Sequence, residues 1–118
     1  RNMGIEPEYI ADGAVVSNSL VTSGAKIYGT VINSIIGASV VVEKGAIVKD
    51  SVIFADSKIE SLAKVNYSII DEQVVISEGA TVGEEKADGV EIAVVGRGSV
   101  IEKDEVVPAG ANVEKEDK

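Results

Sequence analysis

Residues 36–82, IGASVVVEKGAIVKDSVIFADSKIESLAKVNYSIIDEQVVISEGATV, decide the fold because they carry an Ile or Val at every fifth or sixth position. The steps between these residues run six, six and five, so that Ile36, Ile53 and Ile70 stand seventeen residues apart. A fixed period of this kind is typical of a repeat architecture, in which each repeat forms one structural unit that stacks on the next.

The aliphatic series extends beyond this segment at similar steps, through Ile10, Val16, Val21, Ile27, Ile32, Val95, Ile101, Val107 and Val113. Residues two apart in a strand share a face, so the residue two before each aliphatic should also point inward. That residue is Ala, Ser or Thr at positions 14, 19, 25, 30, 34, 46, 51, 57, 63, 68, 80, 93, 99 and 111. We therefore expect each short strand to bury one large and one small side chain.

The residue three before the aliphatic is typical of a tight corner. It is Gly, Asn or Asp at twelve positions: Gly13, Asn18, Gly24, Gly29, Asn33, Gly45, Asp50, Asp56, Gly79, Gly98, Asp104 and Gly110. These residue types tolerate the left-handed backbone conformation that a sharp corner demands. Three strands and three corners would then complete one coil of the chain.

This arrangement predicts an all-β, single-stranded left-handed parallel β-helix of hexapeptide repeats, with about five coils of roughly seventeen residues. The left hand departs from the usual rule for parallel crossovers and rests on the resemblance to hexapeptide-repeat proteins. An antiparallel sandwich of short strands is the alternative. Hairpins, however, do not require an aliphatic residue at every fifth or sixth position along a whole chain.

The repeat also divides the chain. Residues 1–9 are expected to form an extended segment, residues 10–113 the β-helix, and residues 114–118 a frayed tail. The stretch from Gly83 to Glu91 delays the next aliphatic by eight residues and is rich in charged and small side chains. We expect a solvated loop insertion at 83–91 that protrudes from one corner.

Composition argues against several classes of protein. The formal net charge of −9 disfavours nucleic acid and anionic membrane partners, which require basic surfaces. The chain has neither Cys nor His, so disulfides, thiolate metal sites and the commonest general base are absent. The longest aliphatic run, Val40-Val41-Val42, is too short to span a bilayer. These features predict a cytoplasmic protein without a membrane segment.

The residues immediately before the inward aliphatics should point outward and stack from coil to coil. On one side they form a continuous apolar series, which we call the ridge: Leu20, Ile35, Val52, Ile69 and Val94. The other two series read Lys26, Val41, Lys58, Val75, Val100 and Val31, Ile47, Lys64, Thr81, Val106. β-Branched residues populate strands in any case, but a continuous apolar ridge is unusual on a free monomer and indicates a contact surface for another domain or subunit.

Arg97 is the one candidate for anion binding. Two Gly residues flank it directly after the insertion, and a guanidinium suits phosphate oxygens bidentately. The alternative is an ordinary surface Arg paired with Asp104 or Glu102. Carboxylate pairs such as Asp71-Glu72 are not expected to form a dedicated metal site on so acidic a surface, so the site prediction contains neither a metal nor a catalytic residue.

Four segments carry a resemblance to one family: RNMGIEPEYI at 1–10, VSNSLV at 16–21, IYGTV at 27–31 and GAIVKDSVI at 45–53. Together with the late insertion, they resemble the C-terminal domain of bacterial glucose-1-phosphate adenylyltransferase (ADP-glucose pyrophosphorylase). The resemblance covers essentially the whole chain. Glu6 before Pro7 departs from the pattern, where a second Pro is expected.

The resemblance implies a longer parent enzyme that makes ADP-glucose and pyrophosphate from ATP and glucose 1-phosphate with Mg²⁺, in glycogen biosynthesis. This chain would then be its non-catalytic oligomerisation and allosteric domain, with no cofactor of its own. Its expected partners are the upstream catalytic domain and sister subunits of a tetramer. The resemblance also implies a phosphorylated-sugar effector, and Arg97 aligns with an effector-binding position of some members.

Two alternatives remain at this point. An auxiliary subunit, or a related sugar-1-phosphate nucleotidyltransferase, would carry the same β-helix. A hexapeptide acyltransferase is disfavoured because the acyltransferases that the fold resembles use a His as general base, and this chain has none.

Overall fold

The computed structural model describes residues 6–115, which fold into eighteen short strands. The strands form three six-stranded parallel sheets, one on each side of the coil. No helix able to cross a membrane occurs among these residues. Each strand pairs with the strand three later in the chain, which is the topology of a parallel β-helix. The left-handed β-helix predicted from the repeat is confirmed, and residues 6–115 complete six coils where about five were expected.

Sheet 1 contains β1 (Tyr9–Ile10), β4 (Lys26–Ile27), β7 (Val41–Val42), β10 (Lys58–Ile59), β13 (Val75–Ile76) and β16 (Val100–Ile101). Sheet 2 contains β2 (Val15–Ser17), β5 (Thr30–Ile32), β8 (Ile47–Lys49), β11 (Lys64–Asn66), β14 (Thr81–Val82) and β17 (Val106–Val107). Sheet 3 contains β3 (Leu20–Val21), β6 (Ile35–Ile36), β9 (Val52–Ile53), β12 (Ser68–Ile70), β15 (Ala93–Val95) and β18 (Asn112–Val113).

One insertion interrupts the coils of the described residues. The insertion runs between β14 and β15, at a corner between sheets 2 and 3. Residues 1–5 of the predicted extended segment and residues 116–118 of the predicted tail lie outside the described residues.

The core is a column of stacked Ile and Val side chains. Every predicted inward aliphatic from Ile36 to Val95 has no exposed surface, and ten of the predicted small residues are buried with them: Ala25, Ser34, Ala46, Ser51, Ser57, Ala63, Ser68, Ala80, Ala93 and Ser99. Each aliphatic pairs in register with its counterpart one coil away, as Ile53 does with Ile36 and Ile70. Burying one such side chain contributes roughly 1.5–3 kcal/mol, so the stack stabilises what a single coil cannot.

The assignment of one aliphatic pair was wrong. Val31, predicted to face outward, is fully buried, whereas Ile32 is only half-buried. Val31 pairs with Val16 and Val48, which places it in the core column. Thr30, predicted to be inward, accordingly faces outward beside Ile47.

The physical reason is that the second coil is shortened at the corner between β4 and β5, where only Tyr28 and Gly29 connect the strands. Gly29 does not adopt the predicted positive φ. It is required there because a Cβ would lie 2.5 Å from the carbonyl oxygens of Glu43 and Ala46 in the coil above. The other eleven predicted corner residues do have positive φ, and Ser39, Leu62, Tyr67 and Gln73 adopt it as well.

A ladder of serines closes the corner between sheets 2 and 3. Each serine hydroxyl accepts the N–H of the serine one coil further along, at 3.0, 3.1 and 3.0 Å, through the series Ser19, Ser34, Ser51 and Ser68. Each hydroxyl also donates to the carbonyl two residues before it, at 2.7–2.9 Å. The hydroxyls therefore satisfy the serine N–H groups, which the bend of the chain removes from the strand ladders.

Replacing the central serine of this ladder should destabilise the fold. In Ser51→Ala the buried Ser68 N–H loses its partner, at a cost of about 1–3 kcal/mol, whereas the Lys49 carbonyl keeps the Tyr67 N–H as a donor. Urea unfolding followed by circular dichroism measures the change. The control is Ser77→Ala, which removes a half-buried hydroxyl outside the ladder. Equal effects of the two substitutions would contradict a structural role for the ladder.

Candidate functional site

The structure places the five ridge residues in direct register on the outer face of sheet 3. Leu20 pairs with Ile35, Ile35 with Val52, Val52 with Ile69, and Ile69 with Val94. Strands in a sheet lie about 4.8 Å apart, so the ridge is roughly 19 Å long. Leu20 is 59% exposed and Ile35 48% exposed, while the other three are half-buried. Asn112 follows Val94 in the next strand and ends the ridge.

The outer faces of the other two sheets are mixed. On sheet 1, Lys26 and Lys58 flank Val41. On sheet 2 the corrected series reads Thr30, Ile47, Lys64, Thr81 and Val106. Sheet 3 is therefore the side on which outward aliphatic residues follow one another over five coils.

Phe54 adds an aromatic ring beside the ridge and was not among the predicted site residues. It follows β9 directly and is 45% exposed. Gly37 lies beneath it, where a Cβ would come within 3.0 Å of the backbone from Ile53 to Ala55. The signal in the sequence was the single Phe of the chain, placed one residue after an inward aliphatic.

A line of polar side chains borders the ridge along the corner between sheets 2 and 3. Asn18, Asn33, Asp50 and Tyr67 occupy equivalent positions in four successive coils, each with a φ between 46° and 53°. The Asn18 amide donates to the Asn33 side-chain oxygen, and the Asn33 amide donates to Asp50 Oδ1 at 3.2 Å. This polar line holds one edge of the apolar face in a fixed arrangement.

Two residues of the insertion, Glu85 and Lys86, contact this corner between sheets 2 and 3. Glu85 Oε1 lies 3.5 Å from Lys49 Nζ, and Lys86 Nζ lies 5.8 Å from the centroid of the Tyr67 ring. The insertion begins at Gly83, where the Cβ of any other residue would collide with the Asn66 carbonyl oxygen. The Lys49–Glu85 ion pair and the Lys86–Tyr67 cation–π contact lie at the surface, and each contributes at most about 1 kcal/mol.

Together these groups form a shallow groove of about 300 Å³ beside the ridge, lined by Asn18, Asn33, Asp50, Tyr67 and Lys86. Ile35 and Val52 of the ridge form its apolar side. An apolar strip with a polar border resembles the core and rim of a protein interface. The groove therefore has the character of a binding surface.

Arg97 lies on the other side of sheet 3, in the turn between β15 and β16. Its side chain is 66% exposed, and its Nε lies 3.8 Å from Glu72 Oε1 in the coil below. It is therefore paired with Glu72 and not with Asp104 or Glu102. The structure does not bring Arg97 together with the groove of the insertion, since the width of sheet 3 separates them.

Residues 6–115 contain no group of three or more acidic side chains that could hold a metal ion.

Comparison with known proteins gives one family and a consistent set of relatives. The family model described as "GlmU-like, C-terminal hexapeptide" matches residues 8–101. The glucose-1-phosphate adenylyltransferase of Fervidobacterium nodosum is 33% identical over 112 residues, which cover 87% of this chain and 27% of that protein. Those of Bacillus thuringiensis and Bacillus anthracis are 36% identical over 80 residues, covering 68% of this chain and 21% of each protein.

The resemblance drawn from the sequence is thereby confirmed, both for the hexapeptide fold and for the group of relatives. The chain spans about a quarter of the length of the curated relatives it matches.

Proposed function

The chain belongs to the family described as GlmU-like, C-terminal hexapeptide, and from this premise we propose that it is the non-catalytic assembly and regulatory domain of a sugar-nucleotide pyrophosphorylase. The longer protein would make ADP-glucose from ATP and glucose 1-phosphate in the cytoplasm, for glycogen synthesis. The names of the relatives support this reaction, and their greater length leaves room for a separate catalytic domain that would bind Mg²⁺.

The ridge is the observation that carries the assembly role. Leu20, Ile35 and Phe54 each leave about half of an apolar side chain in water, although the fold requires only the inward residues of these strands to be apolar. Covering a continuous apolar strip contributes roughly 25 cal/mol per Å², which favours a partner over exposure. The partners that fit are the catalytic domain of the same chain and sister subunits of a tetramer.

Arg97 supports the regulatory role. It is accessible, it lies at an edge of the assembly face, and its guanidinium could receive phosphate oxygens of a phosphorylated-sugar effector. Glu72 now occupies one side of that guanidinium. Because both groups are largely exposed, this pair is weak and an effector phosphate can displace it.

Two other functions fit less well. An auxiliary subunit or a related sugar-1-phosphate nucleotidyltransferase would use the same face, and only the catalytic domain distinguishes them. An acyltransferase would need another general base in place of His. Consumption of acyl-CoA by the chain itself would favour this last function over the assembly role.

A charge on the ridge should weaken assembly. In Val52→Glu a carboxylate is placed between Ile35 and Ile69 and would have to be desolvated at the interface. Sedimentation velocity of the chain and of the longer protein should show a shift toward smaller species. The matched control is Val41→Glu, at an equivalent outward position between Lys26 and Lys58. An unaltered profile for Val52→Glu, or an equal shift for Val41→Glu, would exclude the ridge as the assembly face.

Removal of the Arg97 side chain should weaken effector binding. Calorimetric titration of the longer protein with fructose 1,6-bisphosphate is expected to give at least about tenfold weaker binding for Arg97→Ala, a loss of about 1.4 kcal/mol. The control is Lys103→Ala, because Lys103 pairs with Glu78 at the same 3.8 Å and is 70% exposed. Unchanged binding by Arg97→Ala would remove Arg97 from the effector site without affecting the assembly proposal.

A further inference from the structure

The shortened corner of the second coil leaves a gap in the surface of the β-helix. At this corner four residues, 11–14, connect the strands of the first coil, and four residues, 43–46, connect those of the third. Between them the second coil has only two connecting residues. The result is an indentation of about 450 Å³, which we call the notch; Asp12, Gly13, Tyr28, Thr30, Lys44 and Gly45 line it.

The missing residues also leave backbone groups of the notch unpaired. At most corners, the residue with positive φ donates its N–H to a carbonyl of the coil below, as Asp50 does to Ile32, and Gly79 to Ser61, at 3.0 Å. For Gly45 the corner that would carry this carbonyl is absent. Among residues 6–115 the structure records no backbone hydrogen bond for the Gly45 N–H or for the Asp12 carbonyl. Leu62, one coil beyond Gly45, also lacks this bond, although a full corner lies below it.

An aromatic side chain, Tyr28, forms part of the lining of the notch. Tyr28 is 39% exposed, and its ring centroid lies 5.9 Å from that of Tyr9. The packed Tyr9 ring restricts Tyr28 and leaves it as an amphipathic surface with a hydroxyl at one end. Thr30 supplies a second hydroxyl, and the side chains of Asp12 and Lys44 supply one charge of each sign.

This lining selects the chemistry of a ligand. An anion would meet the Asp12 carboxylate and a cation would meet the Lys44 ammonium, so neither sign is favoured overall. A hydrocarbon would desolvate the unpaired Gly45 N–H and Asp12 carbonyl without replacing their bonds to water. A neutral molecule avoids repulsion by either charge. If it also donates and accepts hydrogen bonds, it can pair with both backbone groups, and an apolar face on the same molecule can lie against the Tyr28 ring.

We propose that the notch binds a neutral hydroxylated ring, of the size of a single hexose unit. A pocket of a few hundred Å³ with an apolar surface and a few convergent polar groups is suited to such a ligand. Ring hydroxyls accept from the Gly45 N–H and donate to the Asp12 carbonyl, and the C–H face of the ring lies against Tyr28.

The notch is independent of the assembly face. It lies at the corner between sheets 1 and 2, which is opposite sheet 3 in the triangular coil. A partner on the ridge would leave it open, so the outcome of the sedimentation experiment does not affect this proposal.

The test is an NMR titration of the ¹⁵N-labelled chain with glucose. The expected result is saturable movement of the Gly13, Thr30 and Gly45 amide signals with a Kd in the range of about 1–10 mM, as for a weak single-ring ligand. Two further probes are titrated in parallel: glucose 1-phosphate, and N-acetylglycine N-methylamide as a model of a peptide.

Two variants remove the site. Tyr28→Ala removes the aromatic surface and should weaken glucose binding at least about fivefold, since the ring provides the largest apolar contact. Insertion of Ser-Gly after Tyr28 restores the missing corner, closes the notch and should abolish the signal changes. Val106→Ala, which truncates a 70% exposed side chain in the sixth coil, is the control and should bind glucose like the parent chain.

Several outcomes would overturn the proposal. One is the absence of saturable changes at about 100 mM glucose, beyond which binding is negligible. Binding of glucose 1-phosphate that is tighter than that of glucose would instead identify an anion site. Binding of N-acetylglycine N-methylamide that is tighter than that of glucose would identify a polypeptide as the occupant. Equal loss of binding in Tyr28→Ala and Val106→Ala would place the sugar elsewhere.

Discussion

The register between successive coils is the constraint on which this structure depends. Parallel strands bond to the coil above and the coil below, and almost every buried backbone group must find such a partner. Each side chain therefore lies over the residue at the same position of the preceding coil. Ile53 between Ile36 and Ile70 in the core, Ser51 between Ser34 and Ser68 at the corner, and Val52 between Ile35 and Ile69 on the surface all follow from this one rule.

The same rule explains why the architecture could be predicted from sequence. Inward positions must be filled by similar side chains in every coil, so the core leaves a periodic pattern. The assignment failed at Val31 and Ile32, where two β-branched aliphatic residues are adjacent and the coil is shortened nearby. The register could have been recovered from Asn33-Ser34-Ile35-Ile36, since its alignment with Asp50-Ser51-Val52-Ile53 places Val31 over Val48.

Contacts across the insertion were harder to predict, because the insertion changes the spacing of equivalent residues. Arg97 lies beside Glu72, twenty-five residues earlier, which is one period of seventeen plus the eight inserted residues. Residues adjacent in sequence, such as Glu102 and Asp104, were the wrong place to seek its partner. The contacts of Lys86 and Glu85 had no periodic signal at all, since a loop outside the coil is not held to any register.

The insertion at 83–91 and the shortened corner between β4 and β5 both depart from the repeat, but they affect the stability of the fold differently. An insertion at a corner leaves the strands before and after it in register, and its cost is the slowly growing entropy of a longer loop. A shortened corner removes backbone partners from both adjacent coils and forces a close approach that only Gly29 can make. Neither the unpaired backbone groups of the notch nor the exposed aliphatics of the ridge stabilise the fold. Features that stability does not require are the ones to be explained by binding, and here they lie at two separate places: the face of sheet 3 and the corner opposite it.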